Sequence, residues 1–253
     1  MSTTIETIVR EKYGSTARSG LSSHDEGVRA VAEAFGYSPE ELSAVPAEAN
    51  MGLSCGNPTA TAKLRPGEVV VDLGCGGGLM GPYVAELGYR HVGVDIGRPG
   101  LELARQHGVR PVCASVLEVP LADGCADVVL ACEILEHVED DVAVLAECAR
   151  LLRPGGLLLL DTLAATRLSV LINVHLLERL PGGPPRGLHD PALFVDRRAL
   201  LEAAERFGLD LRLVGLRPSM REAIAWKLGR RDMVTMKPHR WTGNVFAGYG
   251  RKR

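Results

Sequence analysis

The chain has 253 residues, enough for one large α/β domain with a full core or for one domain plus a cap. Its 29 Lys and Arg against 31 Asp and Glu leave a net charge of -2, and no basic run longer than two residues occurs before Arg251-Lys252-Arg253, which excludes an electrostatic footprint for nucleic acid. Six scattered cysteines without a CxxC pair argue against a disulfide scaffold and a structural zinc site. The N-terminus lacks a basic segment followed by an apolar run, so no signal peptide is expected. Asp161, Arg167 and Glu178 interrupt the Leu-rich stretches too soon for a spanning helix, and a cytoplasmic protein is the expectation.

Residues 1–66 read as an N-terminal helical extension covering a domain of residues 67–253. Ser23-His24-Asp25-Glu26 ahead of Val28, Ala30, Val31, Ala34 and Phe35 has the form of a capped amphipathic helix, closed by Gly36. From residue 69 strands and helices alternate. Strands are predicted near 69–72, 91–95, 110–114, 126–132, 157–162, 211–217 and 245–250, and helices near 79–87, 100–107, 141–152 and 197–207. Arg153-Pro154-Gly155-Gly156 reads as a breaking turn before the fifth strand. The result is an α/β, doubly wound, mostly parallel seven-stranded sheet whose last two strands form a hairpin-like edge pair. Two insertions, 163–190 and 219–242, leave the sheet edge where an open α/β sheet has its ligand crevice.

The organising stretch is Val69-Val70-Val71-Asp72-Leu73-Gly74-Cys75-Gly76-Gly77-Gly78. β-Branched residues run into a carboxylate and then into a loop with almost no side chains, which suits a buried strand followed by a backbone that a ligand can approach closely. Gly76, Gly78 and Gly81 match a dinucleotide fingerprint, and Asp95, nineteen residues after Gly76, stands where an acid binds ribose hydroxyls. Asp72 discriminates between ligands. A carboxylate beneath the loop opposes a pyrophosphate, as an NAD-linked oxidoreductase would require, but it suits the ammonium of S-adenosylmethionine.

VVDLGCGGG, GVDI, DVVLACEILEHVED and ARLLRPGGLLLLDT together resemble the motifs of class I S-adenosylmethionine-dependent methyltransferases over roughly residues 66–218. The resemblance implies a Rossmann-like fold and a cofactor site lined by Asp72, Gly74, Cys75, Gly76, Asp95, Ile96, Ser115, Val116 and Cys132. Ser115 stands where such enzymes often carry an Asp near the adenine amine; a hydroxyl can still form one hydrogen bond there. A non-catalytic S-adenosylmethionine-binding protein is the alternative outside enzymes.

Cys132-Glu133-Ile134-Leu135-Glu136-His137-Val138, with Leu188-His189-Asp190 and Phe194-Val195, resembles the quinone-biosynthesis O-methyltransferases. This implies a small hydroxylated aromatic or quinone-like acceptor. Glu133 and His137 are the catalytic candidates, with His137 as general base for a phenol that is mostly protonated at neutral pH. On a helical turn Glu133, Glu136 and His137 share one face and offer O, O and N ligands to a divalent ion such as Mg; the alternative is that the acids favour a helix start. The apolar stretch 168–180 is either a peripheral membrane contact or a lid. His175 and His189 face a choice between the acceptor site and ordinary hydrogen bonding, with the latter favoured for His175, and Trp226 and Trp241 either wall an acceptor pocket or simply bury area.

The front end is similar instead to arsenite methyltransferases, through Cys55-Gly56-Asn57-Pro58. That resemblance implies arsenic at Cys55 and makes a soft acceptor, arsenite or a thiol, the second reading. Its second cysteine falls at Glu133 and its third within 163–190, which contains no Cys, so the thiolate set is incomplete.

Overall fold

The computed structural model describes residues 67–86, 88–179, 184–222 and 236–253. The expected N-terminal cover, Cys55, Trp226 and most of the second insertion lie outside the described residues.

Five parallel strands form one half of the sheet: β1 (Val69–Leu73), β2 (Arg90–Asp95), β3 (Arg110–Cys113), β4 (Ala126–Cys132) and β5 (Leu152–Leu163). Between them run helices α1 (Gly81–Glu86), α2 (Arg98–Gln106) and α3 (Asp141–Leu151). Asp140 caps α3 by accepting the Ala143 N–H, which satisfies one orphan donor of its first turn. After β5 come a short helix α4 (Arg167–Val170) that continues as a π-helical turn (Leu171–Leu176), then α5 (Arg197–Arg206), β6 (Leu209–Pro218), β7 (Met236–His239) and β8 (Val245–Lys252).

The strand order is β3-β2-β1-β4-β5-β8-β6-β7, so eight strands stand where seven were expected. The extra strand, β7, has Pro238 at its centre. Proline cannot donate to a ladder, which disguises the strand in the sequence and confines it to the sheet edge, where it lies. The late pair β6 and β8 is antiparallel as expected, yet β8 is not at the edge: it inserts between β5 and β6. The turn expected at Arg153-Pro154-Gly155-Gly156 is instead an irregularity within β5. There Ala126 pairs with Leu152 and Val128 already with Leu157, so the four residues loop out without ending the strand.

The central strands are buried on both faces, as parallel strands under helices must be. Val71, Leu73, Val129, Ala131, Leu158 and Leu160 face a core completed by α3 and α5, while Val70, Val128 and Leu130 pack with Tyr83 and Val84 of α1 on the other face. Parallel pairing also brings the C-terminal ends of β1 to β5 to one edge, where every strand-end residue singled out from the sequence is found.

Candidate active site

The glycine loop follows β1 and turns back over its end. Gly74, Gly76 and Gly78 all adopt positive φ (76°, 51° and 76°). At Gly78 the requirement is also steric, because a Cβ would lie 2.7 Å from the Cα of Ala104 on α2. The amides of Gly74 and Cys75 both donate to the Val94 carbonyl (2.8 and 3.2 Å), fastening the loop to the end of β2. His107, buried just past α2, donates from Nδ1 to the Gly77 carbonyl at 2.8 Å and holds the loop from behind. Sequence reading missed His107, since nothing near it marks a loop thirty residues away.

Asp95 stands at the mouth of the loop. Its Oδ2 accepts the Gly76 N–H (3.0 Å) and its Oδ1 the Gly97 N–H (2.6 Å). Burial raises its pKa, and the amides of Gly97 and Gly76 oppose that rise. A carboxylate fixed in this way beside a side-chain-free loop is a preformed acceptor for a ribose diol, and the glycines leave open the approach that a nucleoside needs. The residues present therefore fit S-adenosylmethionine.

Asp72 has a partner that the sequence did not announce. It is buried, and its Oδ2 lies 3.3 Å from His91 Nε2 on β2, so one of its oxygens is engaged beneath the loop. Cys75 is likewise turned into packing. Its side chain sits with Leu101, Ala104 and Val109, and a Cβ on Gly93 would meet its Sγ at 2.6 Å. Burial, with Asp72 and Asp95 nearby, pushes its thiol well above the ordinary cysteine range, so Cys75 is an inert wall of the loop. Ile96 and Ser115 follow β2 and β3 and are partly exposed, while Val116 is buried in the core. The Ser115 hydroxyl accepts the Leu117 N–H at 3.2 Å and keeps its proton for donation.

Beyond Cys132, at the end of β4, the chain turns sharply. Glu133 has φ 51°, the only positive φ of a non-glycine among the described residues, and its amide donates to Asp161 Oδ1 at 2.9 Å. Ile134 then packs against the loop: a Cβ at Gly74 would lie 2.9 Å from its Cδ1. A single 3-10 turn, Leu135–His137, follows. Glu136 is fully buried, and its Oε2 accepts the Thr162 hydroxyl at 2.8 Å. The Glu133 carboxyl is held well above the usual carboxylate range, first by burial and then by Glu136 and Asp161.

The expected face of Glu133, Glu136 and His137 is not assembled as a metal set. The helical turn begins only at Leu135, Glu133 is in a left-handed conformation, and Glu136 is committed to Thr162. Among the described residues no three His, Cys, Asp or Glu side chains are grouped to hold a metal ion. No step is derived through one.

His137 instead meets the first insertion. Its ring lies 5.8 Å from that of His189, centroid to centroid and 22° from parallel, and Phe194 stands edge-on to His189 at 6.4 Å. The insertion is anchored over the end of β5, where Ala164 bridges Val195 and the Val195 amide donates to the Leu163 carbonyl. Within it Leu168, Leu171 and Leu176 are exposed, while Ser169 and Asn173 are buried. The Asn173 amide donates to Asn244 at 2.8 Å, tying the π-helical turn to the segment before β8. Trp241 is about half exposed, beside His239.

This fold and loop define a nucleoside-binding α/β half with a carboxylate-rich crevice, and comparison with known proteins narrows the class. Residues 71–160 match the family model described as "Methyltransferase domain". The chain is 36% identical over 151 residues to the ubiquinone biosynthesis O-methyltransferase of Thiobacillus denitrificans, covering 57% of this chain and 65% of that protein. It is 33% identical over 181 residues to the protein of the same name from Vibrio parahaemolyticus, covering 68% and 77%. The chain spans only 60–66% of the length of several further proteins of that name. Among solved structures, an S-adenosylmethionine-dependent methyltransferase from Thermotoga maritima superposes with a TM-score of 0.56 at 20% identity, covering 77% of this chain and 86% of that one. Another from Aquifex aeolicus superposes at 0.51 and 16%, covering 85% and 93%. The chain belongs to the S-adenosylmethionine-dependent methyltransferases. No helix of the described residues is long and apolar enough to cross a membrane.

Proposed function

We propose that the protein transfers the methyl group of S-adenosylmethionine to a hydroxyl oxygen of a small aromatic or quinone-like molecule. The observation that carries this reading is the pairing of two imidazoles, His137 and His189, next to the turn that packs on the cofactor loop. A phenol needs a base of neutral-range pKa, and an imidazole has one. A soft acceptor such as arsenite needs thiolates, whereas the position matching the second arsenic cysteine is the buried-carboxylate residue Glu133. The names of the two relatives above support oxygen as the acceptor atom.

When bound, the cofactor supplies a methyl group on a sulfonium. The chain's own part is positioning: Asp95 takes the ribose hydroxyls, the glycine loop admits the amino-acid end beside Asp72, and Ile134 and the 133–137 turn separate this half from the acceptor. The paired imidazoles of His137 and His189 lie on the acceptor side, where one of them can receive a hydroxyl proton, with Glu133 and Glu136 setting the polarity beside them. The exposed Leu168, Leu171 and Leu176 suit an acceptor carrying an apolar tail, or a lipid surface that holds one.

The test is a panel of catechols, demethylated quinones, thiols and arsenite, scored by S-adenosylhomocysteine release, with NAD and S-adenosylmethionine titrated separately by calorimetry. Turnover is expected with catechols or demethylated quinones. Turnover with arsenite alone, or binding of NAD in place of S-adenosylmethionine, would contradict the reading.

A further inference from the structure

The first insertion contains a second polar centre that the cofactor site does not use. Glu178 is buried in the 3-10 turn Leu177–Arg179, and three N–H groups converge on its carboxylate. Gly187 N donates to Oε2 at 2.6 Å, while His189 N and His189 Nδ1 both donate to Oε1 at 3.0 Å. The side chains of His189 and Glu178 are only 9% and 4% exposed. Burial alone would raise the pKa of Glu178, but the amides of His189 and Gly187 and the His189 ring outweigh it and hold the acid below the usual range. An ionised carboxylate accepts only, so Nδ1 of His189 carries a proton, and in the neutral ring the lone pair is on Nε2. Nε2 has no hydrogen-bond partner among the described residues. Among the described residues, Glu178, His137 from the 3-10 turn and Phe194 from the returning segment face the ring. Continuous contacts run from the cofactor loop to this ring: Gly74 to Ile134, Ile134 to His137 through the 3.0 Å backbone bond, and His137 to His189.

We propose that His189, oriented by Glu178, is the general base of methyl transfer, with His137 as the neighbouring wall of the acceptor site. The inference rests on the O-methylation reading. In the step it describes, His189 Nε2 takes the acceptor's hydroxyl proton and becomes an imidazolium. The oxygen's electron pair forms the new O–C bond to the methyl carbon. The C–S bonding pair returns to sulfur, turning the sulfonium into the neutral thioether of S-adenosylhomocysteine. The imidazolium then loses its proton to water. Glu178 stabilises the imidazolium throughout and is a positioning residue.

The experiment compares the full chain with His189→Ala, His189→Asn and Glu178→Gln on the catechol turned over best. The asparagine amide can replace the Nδ1–H bond to Glu178 but has nothing at the place of Nε2, so it restores a structural role and not a basic one. Turnover is expected to fall about 100-fold in both His189 variants and about 10-fold in Glu178→Gln, with calorimetric affinity for S-adenosylmethionine unchanged. Added imidazole is expected to restore part of the rate of His189→Ala. As a readout apart from turnover, bound 4-nitrocatechol is expected to show a stronger phenolate absorption band in the unaltered chain than in His189→Asn at the same pH. His189→Asn retaining full turnover and the full phenolate band would overturn the assignment while leaving O-methylation standing. Absence of transfer to any catechol or demethylated quinone by the unaltered chain would overturn both.

Discussion

The two halves of the crevice are built on different plans. The cofactor half is mostly backbone: three glycines in positive φ, amides folded onto Val94 and Asp95, and a single carboxylate at the mouth. The half proposed to take the acceptor is mostly side chains, with Glu133, Glu136, His137, Glu178 and His189 drawn from the end of β4 and from an insertion 41 to 56 residues later. A backbone cradle tolerates few substitutions and recognises one ligand shape. A side-chain crevice can be refitted without disturbing the fold, so the proposed reading assigns cofactor identity to the first half and acceptor identity to the second.

Substitutions can break that division in order of expected size. Asp95→Ala should weaken S-adenosylmethionine binding between about 150- and 25,000-fold, since two hydrogen bonds to a charged group contribute about 1.5–3 kcal/mol each. Calorimetry showing unchanged affinity would remove the cofactor half from the account. Gly78→Ala should cost about 2–3 kcal/mol of folding stability, because it combines a left-handed conformation with a Cβ 2.7 Å from the Ala104 backbone. Urea denaturation would measure it, and an unchanged midpoint would mean that the loop and α2 are not packed as described.

On the acceptor side, Glu136→Ala should lower turnover about 10-fold while moving cofactor affinity by less than about twofold, because its hydroxyl partner Thr162 belongs to β5 and not to the loop. Equal losses of turnover and affinity would make Glu136 a purely structural group. The smallest effect concerns Glu133. Burial raises its folded pKa, so its ionisation destabilises the fold above that value, and the penalty disappears as pH falls towards the unfolded carboxylate range near ~4. Glu133→Gln should therefore stabilise the protein at neutral and alkaline pH, on the order of 1 kcal/mol, and progressively less on acidification. Thermal melts across pH would show the trend, and a gain independent of pH would contradict the cause given.

The same division explains what the sequence could show. Asp72, the glycines and Asp95 are close in the chain and obey a local grammar of strand, turn and acid, so both the loop and its ligand class were readable. His107 and His91 were not, because a buried histidine supporting a loop looks like any other core histidine until the fold sets it beside a carbonyl or a carboxylate. His189 was marked by the Leu188-His189-Asp190 motif, but its partner Glu178 was not, because the two lie eleven residues apart and only the return of the chain over β5 brings them to His137. The metal face expected at 133–137 failed for a local reason: an α-helical turn was assumed where Glu133 takes positive φ and the helix starts two residues later. Strand β7 was hidden by Pro238, which is tolerated only because the strand is at an edge.

The most direct test of the account is to follow the methyl carbon. The protein would be incubated with S-adenosylmethionine labelled with carbon-13 at the methyl group and with a catechol-bearing quinone precursor, and the product read by mass spectrometry and carbon NMR. The account predicts one added methyl group, resonating as an aryl methyl ether. A label on sulfur, nitrogen or arsenic, or a cofactor that binds without ever losing its methyl group, would contradict it.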